Sequence, residues 1–155
     1  MPDRLRELLD KVGSLPMFDG ADFSDINAVG SEGDNALHVA VRWRDVEAVK
    51  LLLAAGINVN QFGDLGHTPL HEACAVGSLE IVRLLVEHGA DLFALTEGHP
   101  PFTTARLAGN DEICDYLAPK MKTAQAQDPS VYVHARIRQL RAEITRLEKQ
   151  LHPQE

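Results

Sequence analysis

Seven histidines and two cysteines are the side chains of this 155-residue sequence best suited to proton transfer, metal ligation or nucleophilic attack. His67, His71 and His99 could approach one another on a loop side. No carboxylate or thiol at ligand spacing accompanies them, so a tetrahedral metal set is incomplete. Cys74 follows His71 by three residues on one helical stretch. Such a pair makes a nucleophile only if the sulfur faces a substrate, and Cys74 falls on an apolar stripe that points inward. Cys114 sits at a similar apolar position, and both read as buried, inert thiols. Two cysteines are also too few for a disulfide framework. Gly30-Ser31-Glu32-Gly33 lacks the lysine and the preceding strand of a phosphate-binding loop. The residue types therefore predict no catalytic centre, no metal and no cofactor.

The elements that carry these groups follow from composition and pattern. Apolar residues make up 45% of the sequence and aromatics 5%. That is a globular apolar fraction, built from thin aliphatic layers. No stretch approaches the ~20 apolar residues that span a bilayer. Arg6, Glu7, Asp10 and Lys11 break up Leu8, Leu9 and Val12, which leaves no signal-type apolar run. The expectation is a reduced, soluble, cytoplasmic protein.

Charge is uneven. Residues 1–31 carry 3 basic and 6 acidic side chains, residues 32–117 carry 5 and 13, and residues 118–155 carry 7 and 4. An acidic body with a basic tail repels nucleic acid and anionic membrane and attracts basic partners. In the tail, Glu143 and Glu148 interrupt Arg136, Arg138, Arg141, Arg146 and Lys149, and no base-reading module follows. Nucleic acid is not an expected partner.

The dominant pattern is a repeat. Asn35-Ala36-Leu37-His38-Val39-Ala40 aligns with Thr68-Pro69-Leu70-His71-Glu72-Ala73 at a shift of 33. Val46 to Leu52 matches Leu79 to Leu85, and Gly56-Ile57-Asn58 matches Gly89-Ala90-Asp91, at the same shift. A third copy runs from Pro100 to Ala105 and on through Gly109 to Ile113, at a shift of 32 from the second. Thr68 can cap a helix whose first residue is Pro69, a position that needs no amide donor. Leu70, Ala73 and Cys74 give that helix one apolar stripe. Gly77 stops it, and Ser78 opens a second helix with Ile81, Val82, Leu84 and Leu85 on its apolar side. Neither helix can bury that side alone, so the units must stack.

These motifs resemble the ankyrin repeat family over residues ~30–118, at its ~33-residue period. Copy 1 departs from the pattern with Asn35-Ala36 in place of Thr-Pro and with Arg44 where the helix-ending glycine belongs. Copy 3 has Pro100 and Thr103 where threonine and histidine are usual. The resemblance implies an all-α solenoid of about three helix-turn-helix units. It implies that His38 and His71 are structural hydrogen-bonders, and that partners bind loop tips and the exposed side of each first helix. Carried over, those positions are Ser31, Glu32, Asp34, Arg42 and Trp43 in copy 1. They are Asp64, Leu65, His67, Ala75 and Val76 in copy 2, and Thr96, Glu97, His99, Leu107 and Ala108 in copy 3. Trp43, the one tryptophan, reads either as an interface anchor or as a side chain packed against the N-terminal segment near Phe18 or Phe23. Leu65, Val76 and Leu107 extend an apolar strip, rimmed by Glu32, Asp34, Asp64 and Glu97.

Four regions follow: a capping segment at 1–31, repeats at 32–64, 65–97 and 98–118, an irregular linker at 119–130, and an amphipathic helix at 131–152. Asp3 to Val12 is the predicted capping helix. In the last region Val133, Ile137, Leu140, Ile144, Leu147 and Leu151 are spaced 4, 3, 4, 3, 4, a heptad seam that Pro153 ends. A parallel in-register homodimer would pair Arg136 with Arg141 and Glu143 with Glu148, both unfavourable. Antiparallel self-pairing, a foreign helix, or docking on the last repeat remain. The expected function is a non-enzymatic module that binds a basic protein, as an inhibitor or antidote. The alternative is an oligomeric scaffold held together by the C-terminal helix.

Overall fold

A computed structural model describes residues 2–152, so Pro153, expected to end the last helix, lies outside the described residues. Eight α-helices account for the regular structure, with no strand longer than an isolated bridge among the described residues. They are α1 (Asp3–Gly13), α2 (Ala36–Arg42), α3 (Val46–Ala54), α4 (Pro69–Val76), α5 (Leu79–Glu87), α6 (Pro101–Leu107), α7 (Asp111–Gln127) and α8 (Val131–Leu151). The first helices of the three repeats stack as α2 on α4 on α6, and the second helices as α3 on α5 on α7.

The capping chemistry recurs with the repeat. Asn35 accepts hydrogen bonds from the amides of Leu37 and His38, and its own amide donates to His38 Nδ1. Thr68 and His71 make the same reciprocal box one unit later, with Pro69 as the first helical residue. Pro100 offers no such side chain, and α6 starts at Pro101 without a cap bond. Gly77 ends α4 at φ +75°. Arg44, at the equivalent site after α2, takes φ +56° despite its Cβ, a conformation that strains a non-glycine residue. The core between the helices is aliphatic: Leu37, Leu52, Leu70, Ile81, Leu85, Ile113 and Leu117 are all buried.

The N-terminal segment closes one end. Leu5, Leu9 and Val12 of α1 are buried, and the helix packs on α2 and α3. Phe18 is buried beneath it and meets Phe23 at 5.4 Å between ring centroids.

The region expected to be an irregular linker, 119–130, is instead helical as far as Gln127. Leu117 and Met121 stay buried and Ala124 packs beside them, so the apolar stripe continues past the last repeat. Pro119 removes one amide from the ladder but is exposed, and Thr123 Oγ1 donates to its carbonyl at 3.0 Å. The break falls at Asp128, whose Oδ1 accepts from the amide of Ser130 at 2.9 Å and stops the helix in a side-chain turn.

Candidate functional site

Two buried imidazoles, one in α2 and one in α4, tie those first helices to the next loop. His38 Nδ1 accepts from the Asn35 amide, and its Nε2 lies 2.9 Å from the His67 carbonyl oxygen. His71 Nδ1 accepts from the Thr68 amide at 3.1 Å, and its Nε2 lies 3.2 Å from the His99 carbonyl. A nitrogen that accepts from an amide carries no proton, so the neutral ring donates from Nε2. Burial pushes His71 down to about 4. Burial also lowers His38, against the opposing charge of Asp34. These rings are fully engaged in joining repeats.

The loop edge is fixed by a second set of bonds. Asn27 Oδ1 accepts from the Asn58 amide at 2.7 Å, and Asn60 Oδ1 accepts from the Asp91 amide at 2.8 Å, one repeat further on. Asn35 and Asn60 donate across the same gaps to the carbonyls of Asn58 and Gly89.

Asp34, expected at an exposed loop tip, is instead buried. Its carboxylate receives Arg42 Nη2 on one oxygen and the Asp64 amide, at 2.9 Å, on the other. Arg42 continues to Glu72 Oε1 at 3.3 Å, and Glu72 lies 3.6 Å from His67 Nδ1. The His67 ring then stacks on His71, centroids 5.5 Å apart and 11° from parallel. Burial raises the Asp34 carboxyl, but the Arg42 bond and nearby positive charge outweigh it and hold the group low. The His67 contact holds Glu72 low, and Glu72 in turn raises His67. Asp34, Arg42 and His67, all singled out as partner contacts, are thus tied together through Glu72 into one charged chain that crosses from the first repeat to the second. Glu72 was missed. Its signal was a lone charge in α4 where copy 1 carries Val39, a repeat apart.

Of the remaining positions Thr96 is buried, its Oγ1 donating to the Leu65 carbonyl, and most of the others are presented outward. Trp43 is 38% exposed, Leu65 64% and Leu107 78%. Glu32, Asp64, Glu97 and His99 are exposed at the tips. Leu65 and Glu97 both adopt positive φ, +54° and +50°. Val76 differs from expectation: it is half-buried and packs on the core. Phe18 and Phe23 pair with each other, and the N-terminal segment meets Trp43 through Lys11. Lys11 of α1 covers one side of the indole, its Nζ 4.4 Å from the ring centroid. Cys74 is buried and its thiol is pushed up to about 12 by that burial, whereas Cys114 is half-buried and raised in the same direction. Among the described residues no three His, Cys, Asp or Glu are grouped to hold a metal ion. Nor is any described helix long and apolar enough to cross a membrane.

Stacked helix pairs bound by a histidine-to-loop ladder define a helical-repeat protein that displays its tips and first helices. The family model for ankyrin repeats in three copies matches residues 3–96 and again 61–130, and the chain belongs to the ankyrin repeat family. That family is generally one of protein–protein interaction modules and is typically non-enzymatic. Comparison with curated proteins gives no match.

Proposed function

We propose that the protein is a non-enzymatic module that binds one basic protein partner along its loop tips and first-helix face, as an inhibitor or antidote. The observation that carries this reading is Leu65. An exposed leucine at φ +54° combines apolar surface in water with a strained backbone, and strain kept at an exposed tip points to use by a ligand. Asp64, Glu97 and Glu32 surround that row with negative charge, and the 32–117 body carries 13 acidic against 5 basic side chains. Exposed Trp43 and Leu107 mark the far edge of the same helices, and an apolar centre with a charged rim suits a specific interface. His99 and the half-buried Val76 complete the contact set.

The test is affinity capture with identification of bound proteins, comparing wild type with Trp43→Ala/Asp64→Lys. Both sites are exposed, so circular dichroism should be unchanged. Loss of a basic protein from the variant's bound set supports the reading, and identical bound sets refute it. A cytoplasmic setting is part of the proposal, in keeping with two unpaired thiols. The second reading is an oligomeric scaffold that displays the repeats multivalently. It is favoured by the apolar seam that α8 turns away from the body.

A further inference from the structure

The C-terminal helix docks on the repeats, but not by its heptad seam. Ala135 is fully buried, Tyr132 meets Phe93 edge-on at 5.0 Å, and Arg138 Nη2 lies 2.7 Å from Asp91 Oδ2. At about 100° per residue, these residues fall within about 60° of one direction around the helix, and the half-buried Val131 and Ala142 fall there too. The six seam residues fall within about 40° of a direction about 160° away. The seam is accordingly open: Ile137 and Leu140 are each 40% exposed and Leu151 is 76% exposed. The tail's docking uses small, aromatic and charged side chains, which leaves a continuous aliphatic ridge on the outer side.

We propose that this ridge is the contact between two copies of the chain, paired antiparallel. Ile137 lies against Leu147, Ile144 against Leu140, and Leu151 against Val133 of the second copy. This deepens the oligomeric reading above and is independent of groove binding. Antiparallel order puts all six seam residues into a–d layers at full overlap. It also changes which charges meet. A parallel pair sets Arg136 against Arg141 and Glu143 against Glu148, like against like throughout. The antiparallel pair sets His134 beside Glu148 and Arg136 beside Gln150 of the second copy. Like charges then meet only at the two-fold axis, Arg141 with Arg141 and Glu143 with Glu143. Each of these has an opposite charge within a heptad, Glu148 for Arg141 and Arg136 for Glu143. Because docked face and seam are nearly opposite, each repeat body lies outside the helix pair and neither blocks it.

Light scattering of the full chain at concentrations into the hundred-micromolar range should give twice the 17.0 kDa chain mass. Ile144→Glu should weaken association at least tenfold with an unchanged circular dichroism spectrum. A single-chain mass overturns the oligomeric reading and this inference together. Orientation is read separately by oxidative cross-linking on a Cys114→Ala background. Glu143→Cys should form a homodisulfide across the axis, and Val133→Cys, at opposite ends of the pair, should not. A dimer that cross-links through Val133→Cys and not through Glu143→Cys refutes the antiparallel arrangement alone.

Discussion

Lowering the pH from 7 to 5 should remove about 2 kcal/mol of folding stability through His71 alone. The native ring is neutral: Nδ1 accepts from the Thr68 amide and Nε2 donates to the His99 carbonyl. Protonating Nδ1 would set two N–H groups against each other in a site with no solvent. Its folded value of about 4 lies below its ordinary 6.5, so the unfolded chain takes up the proton first. Stability is therefore full above about pH 6.5 and falls as pH drops towards 4. The loss reaches about 2 kcal/mol at pH 5 and about 3 kcal/mol at pH 4. Against a total of about 5–15 kcal/mol, that is a large fraction. His38 shifts in the same direction and adds to the loss. His67 has the opposite sign: Glu72 raises it, so its contribution is present at low pH and lost as pH rises through its folded value. Asp34 and Glu72 are held low, and their share is lost only near and below their ordinary values of 3.8 and 4.5. Urea unfolding followed by circular dichroism at pH 7, 6 and 5 isolates the histidine window. His71→Gln lowers stability at every pH but should flatten the 7-to-5 decline by about 2 kcal/mol. A wild-type stability that stays level across this window, or a variant with an undiminished slope, would refute the reasoning.

Other expected outcomes follow from single sites. Gly63→Ala places a Cβ on Asp34 Oδ1 and 2.7 Å from His38 Nε2; it should cost about 1–3 kcal/mol in chemical denaturation, because both neighbours are buried and pinned. Arg42→Ala strands the buried Asp34 carboxylate and should cost about 3–5 kcal/mol, with much of it recovered in the double variant Arg42→Ala/Asp34→Asn. Leu65→Asn relieves a left-handed leucine with an exposed side chain; it should gain about 0.5–1 kcal/mol and raise the thermal midpoint, while weakening partner capture. A destabilised Leu65→Asn in a melting experiment would contradict the strain argument.

The architecture was legible because its signals are local and repeated. Thr68-Pro69 and Gly77 fix where α4 starts and stops, and the same spacing fixes α2 and α6. The Arg44 departure was visible, and the backbone bends into the left-handed region there anyway, since stacking outweighs one strained residue. What spacing does not carry is the direction of a polar side chain. Position in the repeat puts Asp34 at a tip; whether it turns in depends on Arg42, eight residues later, and on the Asp64 amide, 30 residues later. The linker at 119–130 misled for the converse reason. Gln125, Gln127, Asp128 and Pro129 favour irregular chain locally, yet Met121 and Ala124 still reach the core and hold the helix as far as Gln127.

The inward turn of Asp34 changes what the exposed face presents to a partner. Asp34, Arg42 and Glu72 form one chain of alternating charge across two repeats, with His67 adding a second positive charge when protonated, so much of their field cancels at a distance. The charge left uncompensated is segregated. Glu32, Asp64 and Glu97 lie along the tip edge, while Arg44 and Lys11 sit at the other end of the first helices beside Trp43. A uniformly basic surface would gain at the tips and lose at the indole. The better-matched partner presents basic groups to the tip row and an apolar or acidic patch to Trp43 and Lys11. Reversing Arg44 and Asp64 one at a time should then change association in opposite directions for a uniformly basic ligand, but in the same direction for a two-sided one.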